Sequence, residues 1–228
     1  MSPKEAAGRR AAEFVETGMT VGLGTGSTVW FTLVALAERI ERGELEIRGV
    51  PTSVDTEEKA TKLGIPLVAL EEVETIDLTI DGADEIDAAF DMIKGGGGAL
   101  LREKVVASIS RREVIVVGPD KVVERLGRAF PLPIEVTPFA LPVVRRELEK
   151  RNIRPEVRTV NDLNEPFRTD NGNLIFDCRF EDGIVDAPAL AREVGLLPGV
   201  VECGLFIGLA HVLVIGHEDG TAEVRERG

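Results

Sequence analysis

Along the first half of the chain, short apolar runs alternate with stretches in which apolar residues recur at helical spacing. The pattern opens at Ser2-Pro3-Lys4-Glu5, an N-cap, a proline at the first helical position and a capping-box acid. It predicts a helix over residues 3–17 that stops at Gly18. A short strand over 20–24 then runs into Gly24-Thr25-Gly26-Ser27-Thr28, and residues 29–42 read as a helix closed by Gly43. The alternation continues with strands near 47–50, 66–69, 76–80 and 114–118, and helices near 55–63, 99–110 and 121–126. Strands alternating with helices in this way predict parallel β-α-β units with helices on both faces of the sheet.

The texture changes around Phe130-Pro-Leu-Pro133. Beyond it the pattern predicts a strand (134–136), a helix (138–150), strands over 156–160 and 174–180, and a helix (187–193). Asp170-Asn-Gly-Asn173 between strand candidates is a hairpin signal. The tail, 206–215 and 221–225 about a turn at His217-Glu-Asp-Gly220, reads as strands that rejoin the first sheet. The expected fold is α/β, a doubly wound and mostly parallel sheet with a second, smaller α+β domain of antiparallel sheet and two helices. The expected boundaries are 1–128 plus 204–228 for a Rossmann-like catalytic domain and 129–203 for the small one.

Composition narrows the partners. The 228 residues carry 27 basic and 40 acidic side chains, a formal charge of −13, which disfavours phosphate backbones and anionic lipid surfaces. No apolar run is long enough to cross a bilayer, and the N-terminus lacks a secretory pattern. Cys178 and Cys203 show neither metal spacing nor a redox motif, so buried, reduced thiols in a cytoplasmic protein are expected.

The chemistry concentrates at strand-to-helix turns. Gly22-Leu-Gly-Thr-Gly-Ser-Thr28 offers backbone N–H groups, a helix N-terminus and three hydroxyls to an anion, and reads as a phosphate cradle rather than a plain turn. A dinucleotide fingerprint would need glycine at Ser27, and a P-loop would need a lysine that is absent. Asp81-Gly82-Ala83-Asp84-Glu85-Ile-Asp87 follows a buried-type strand, where open α/β sheets place ligands. A solvated acidic loop and a magnesium site are its alternatives, but no histidine accompanies the acids, which removes zinc. Lys94 precedes Gly95-Gly96-Gly97-Gly98, whose backbone freedom suits close approach to a ligand, and Glu103 follows within the next helix. An ion pair is the plain reading of Glu103, and a surface cation that of Lys121 and Lys4. Because the turns belong to one predicted sheet, a shared pocket containing Glu103 is the expectation.

These motifs, with Arg102-Glu-Lys104, Pro131-Leu-Pro-Ile-Glu-Val136, Thr169-Asp-Asn-Gly-Asn173 and Pro198-Gly-Val-Val201, resemble the type A ribose-5-phosphate isomerases over nearly the whole chain. The resemblance implies a cytoplasmic homodimer or homotetramer that interconverts D-ribose 5-phosphate and D-ribulose 5-phosphate, with no metal and no cofactor. It places substrate at Thr25, Gly26, Ser27, Thr28, Asp81, Gly82, Ala83, Asp84, Lys94, Gly95, Gly96, Gly97 and Lys121, and the charge of a 5-phosphate adds Lys4 as a further contact. Glu103 becomes the base, Lys94 the oxyanion stabiliser, Asp81 the hydroxyl-proton shuttle and Asp84 the group orienting the sugar. A sugar-phosphate sensor and a magnesium-dependent phosphoryl-transfer enzyme are the competing expectations.

Overall fold

The computed structural model describes residues 1–160 and 165–228. They divide into two units: one of Met1–Ala83, Arg102–Val122 and Leu209–Gly228, the other of Asp84–Leu101 and Val123–Gly208. Residues 84–101, 123–128 and 204–208 thus group with the smaller antiparallel unit, whereas the sequence boundaries assigned them to the larger one. The chain changes unit between Ala83 and Asp84, inside the acidic motif, and again between Leu101 and Arg102, inside the helix that carries Glu103.

The first unit is built on a six-stranded sheet in the order Ala222–Glu226, Val212–Gly216, Glu113–Val117, Leu78–Gly82, Thr20–Leu23, Arg48–Pro51. All neighbours are parallel except the edge strand Ala222–Glu226, which pairs antiparallel, so the tail rejoins the first sheet from Val212 onward, whereas Phe206, the start of the predicted run, pairs with Met92 instead. Side chains alternate between faces. Val21, Leu23, Leu78 and Ile80 share one core with Ala7, Ala11, Leu33 and Leu36 of the helices Pro3–Ala12 and Val29–Glu41. Gly22 and Thr79, between them in sequence, face the other way, toward Val106 of helix Leu100–Ser108. Helices therefore cover both faces, as the strand-helix alternation predicted. Burial of a leucine such as Leu33 or Leu36 contributes about 1.5–3 kcal/mol.

Ser2 caps the first helix by accepting from the Glu5 N–H at 3.2 Å, but the helix ends at Ala12 instead of reaching residue 17. Tighter bonds take over there, Phe14 N–H to the Ala11 carbonyl at 3.1 Å and Val15 N–H to that of Ala12 at 3.3 Å, and Arg39 binds the Ala12 and Val15 carbonyls at 2.6 and 3.0 Å.

The second unit has a four-stranded antiparallel sheet, Val200–Cys203, Leu132–Val136, Leu174–Arg179 and Arg154–Val157 in that order. Its core joins Ile134, Phe176 and Cys178 to Val144 and Leu148 of helix Leu141–Glu149 and Val194 of helix Ala187–Gly195. The expected antiparallel sheet with two helices is present. A three-stranded sheet of Leu205–Phe206, Met92–Ile93 and Glu85–Ile86 was not predicted.

Candidate active site

In the first unit, the glycine-threonine turn leaves strand Thr20–Leu23 and enters helix Val29–Glu41. The backbone turns through Gly26 at φ +117°, a conformation that side chains oppose. A hydroxyl cluster fixes Thr25: its Oγ1 lies 2.9 Å from Thr52 Oγ1, 2.8 Å from Ser53 Oγ and 3.1 Å from Thr56 Oγ1. Thr56 also donates to the Gly24 carbonyl at 2.8 Å. With the base of the turn held, Gly26 and Ser27 at its tip are exposed, and Lys4 donates to Ser27 Oγ at 2.9 Å. A cation, a hydroxyl and a helix N-terminus thus converge on one open place, a geometry suited to a phosphoryl group.

Asp81 is fully buried at the end of strand Leu78–Gly82. Its Oδ1 accepts from the backbone N–H of Thr25 at 3.0 Å and of Gly82 at 2.7 Å, so the second sequence motif locks the first in place. A Cβ on Gly24 would collide with that carboxylate, which explains glycine there. Glu103, in the first turn of its helix, is only 5% exposed. Lys121 ends the short 3-10 turn Pro119–Lys121, half-buried, its Nζ 3.5 Å from Asp120 Oδ2. The predicted helix over 121–126 does not form; Gly118-Pro119 starts a single turn and the chain then extends from Val122.

In the second unit, Asp84 accepts from the Gly96 N–H at 2.7 Å, tying the acidic motif to the oligoglycine bend. Lys94 is 2% exposed, its backbone N–H donates to the Gly204 carbonyl at 2.9 Å, and its Nζ lies 5.4 Å from the centre of the Phe206 ring. The bend closes with Gly98 N–H donating to the Gly95 carbonyl at 3.0 Å, through positive φ at Gly95 (+111°) and Gly98 (+83°), while Gly96 and Gly97 remain exposed.

Not every acid of the motif is open to chemistry. Glu85 is 1% exposed and accepts from the N–H groups of Gly127, Ala129 and Phe130 at 2.6, 2.9 and 2.7 Å, which makes it a fastener of that loop. Asp87 folds its own loop by accepting from Ala89 and Asp91 N–H at 2.9 and 3.0 Å, and burial pushes its carboxyl above the usual range. Among the described residues, no group of three or more His, Cys, Asp or Glu side chains is placed to hold a metal ion.

Sequence reasoning did not single out Thr52, Ser53 and Thr56, although Thr-Ser after the second strand, with Ser53 capping helix Val54–Lys62, was a usable signal. Arg158, which binds the Gly95 and Gly96 carbonyls, left no signal, because those carbonyls lie more than sixty residues away.

Comparison with known proteins makes this chain an enzyme of the aldose–ketose isomerase class. Residues 48–220 match the sequence profile of Ribose 5-phosphate isomerase A (phosphoriboisomerase A), and the chain belongs to that family. It is 46% identical over 225 residues to the ribose-5-phosphate isomerase A of Thermosynechococcus vestitus, covering 98% of this chain and 95% of that one. The ribose 5-phosphate isomerase of Plasmodium falciparum superposes with a TM-score of 0.94 at 39% identity, covering 98% of this chain and 97% of its own. A D-ribose-5-phosphate isomerase in complex with phospho-erythronic acid superposes with a TM-score of 0.95 at 36% identity over the full length of both chains.

Proposed function

We infer that the chain interconverts D-ribose 5-phosphate and D-ribulose 5-phosphate, a step of the non-oxidative pentose phosphate pathway, by proton transfer through a cis-enediolate. Full-length similarity to ribose-5-phosphate isomerases A carries this reading. The locking of the hydroxyl turn by buried Asp81 supports it physically.

The reaction requires a base at C2, stabilisation of the oxygen that gains charge, and return of a proton to C1. We assign the base to Glu103: it takes the C2 proton, the electron pair forms the C1–C2 double bond, and O1 becomes the oxyanion. O2 then gives up its proton, O1 accepts one, and the carboxylate returns its proton to C1, so no net proton is consumed. Lys94 supplies positive charge to the oxyanion, from a buried position where such charge acts strongly. Asp81 shuttles the hydroxyl proton and assists ring opening, and Asp84 with Gly95, Gly96 and Gly97 orients the sugar hydroxyls. Thr25, Gly26, Ser27 and Thr28, with Lys4, hold the 5-phosphate; Gly82, Ala83 and Lys121 complete the contacts. No metal or cofactor enters any step.

The catalytic unit is proposed to be a homodimer or homotetramer, which the exposed Phe139 and Leu196 support, and its place the cytoplasm, which the burial of both cysteines, Cys178 and Cys203, supports. Burial pushes the Cys178 thiol up, away from the reactive thiolate.

The test is formation of ketopentose phosphate from ribose 5-phosphate in a coupled assay with EDTA present throughout. Glu103→Gln is expected to lower kcat by at least about 10³-fold, within the range for losing a general base, while phospho-erythronic acid still binds. Turnover near the parent level in that variant would remove Glu103 from the role, and loss of activity to the chelator would remove the metal-free mechanism.

A further inference from the structure

The oligoglycine bend has no side chains of its own to hold its shape, yet its two leading carbonyls are held. Arg158 donates from Nη1 to the Gly95 carbonyl at 2.8 Å and to the Gly96 carbonyl at 3.1 Å. The rest of its guanidinium is committed elsewhere: Nε and Nη2 reach the two carboxylate oxygens of Asp177 at 2.9 and 2.6 Å. Both side chains are largely buried, 13% and 22% exposed. The base of the arrangement is rigid, since the Arg158 N–H donates to the Ile175 carbonyl and its own carbonyl accepts from Phe167, each at 2.8 Å. The Phe167 ring stands 5.8 Å from the guanidinium carbon and fills the space that a Cβ on Gly98 would need.

We propose that Arg158 is a positioning residue for the sugar-binding bend, orienting Gly95 and Gly96 through their carbonyls while Asp177 fixes the guanidinium. The inference rests on the reading of the bend as part of the sugar site. Its physical basis is the planar fork of arginine, which can bind a carboxylate through two nitrogens and still offer the third to a pair of carbonyls. A peptide plane whose oxygen is pinned has its N–H direction set as well, and Gly96 N–H is the donor to Asp84. Gly96 is therefore held from both sides, by Arg158 at its oxygen and Asp84 at its nitrogen. Lysine could neutralise Asp177 but could not reproduce the fork.

The experiment compares Arg158→Lys and Asp177→Asn with the parent enzyme in steady-state kinetics, in binding of phospho-erythronic acid, and in binding of inorganic phosphate, with thermal melting to show folding. A loosened bend is expected to lower kcat/KM by about 10–100-fold, mostly through kcat, as for a reacting group displaced by an ångström or so. Affinity for phospho-erythronic acid should fall by at least about tenfold, whereas that for inorganic phosphate, held by the Thr25–Thr28 turn, should stay within about twofold. The proposal is overturned if the folded variants keep kcat/KM and analogue affinity within about threefold of the parent, or if analogue and phosphate weaken together, the mark of a purely structural role. Should Arg158→Lys fail to fold, Asp177→Asn, which keeps the shape and loses the charge, decides alone. Lys94→Ala run alongside separates the two possible failures: if it too is harmless, the bend is not part of the sugar site, whereas if it alone is inactive, only the role of Arg158 falls.

Discussion

Gly24 is the residue at which the tightness of the candidate site can be measured most directly. An added methyl group would collide with Asp81, the carboxylate that also binds the Thr25 N–H, so relief must come from moving the acid or the turn. Gly24→Ala is expected to cost about 1–3 kcal/mol of stability, as overpacking does, and to lower kcat/KM by about 100-fold through misplacement of both groups. Melting curves and the coupled assay on the same sample check the two halves, and unchanged activity would show that Asp81 need not be held there. At this scale the sequence was informative wherever chemistry dictates a rare residue type. Four consecutive glycines, a lysine before them and acids after a strand are conspicuous because each is costly unless used. Thr52, Ser53 and Thr56 signal a helix cap after a strand and nothing more, since only folding brings them around Thr25. Glu85 and Asp87 carried the opposite error of emphasis: grouped with Asp81 and Asp84 by position, they turn inward to bind backbone N–H groups.

At the scale of elements, periodicity found what is long and missed what is short. The helices at 29–41, 54–62, 100–108 and 187–195 each run more than two turns and were legible, most by their apolar spacing and 54–62 by the serine that caps it. The two-residue strands Glu85–Ile86, Met92–Ile93 and Leu205–Phe206 offer no period to detect, and the third of them pairs with a partner far off in sequence. The expected strand at 66–69 is reduced to a single bridge, Gly49 to Leu67, beside the sheet edge. The loop between Ile86 and Met92 gives a pH prediction. Burial raises the Asp87 carboxyl, the nearby Asp91 carboxylate adds to it, and the Asp91 and Ala89 N–H groups oppose it without winning. A carboxyl raised by folding favours the protonated form, so its contribution to stability is greatest below the unfolded pKa and is lost as pH rises through the folded one. Asp87→Asn keeps an oxygen for both N–H donors and removes the titration. The difference in Tm, variant minus parent, should therefore be near zero at about pH 4 and grow in favour of the variant toward about pH 7. A difference that shrinks over that interval would show that the backbone bonds, not burial, dominate.

For the whole molecule, the two units have separate cores, and each is complete enough to bury its own sheets. Among the described residues of the second unit, three large apolar side chains are mostly uncovered: Phe139 is 96% exposed, Val185 88% and Leu196 83%. The Thr137 N–H donates to the Gly199 carbonyl at 3.0 Å, which brings the segments carrying Phe139 and Leu196 together. Phe139 and Leu196 would each gain about 1.5–3 kcal/mol on burial, which makes this part of the surface the candidate apolar spot on a chain whose net charge of −13 otherwise favours solvation. If the spot is where copies of the chain meet, Phe139→Asp places like charges face to face in a symmetric contact. That variant should elute at monomer mass where the parent elutes at dimer or tetramer mass, with light scattering fixing the masses. Its far-ultraviolet circular dichroism should be unchanged, because the side chain touches little of its own core. A parent that is monomeric at micromolar concentration would end the oligomer proposal, and a variant that stays assembled would move the interface elsewhere. Catalysis gives the second readout: neither Phe139 nor Leu196 is among the residues assigned to substrate, so a dissociated variant that keeps kcat would show that each chain carries a self-sufficient site.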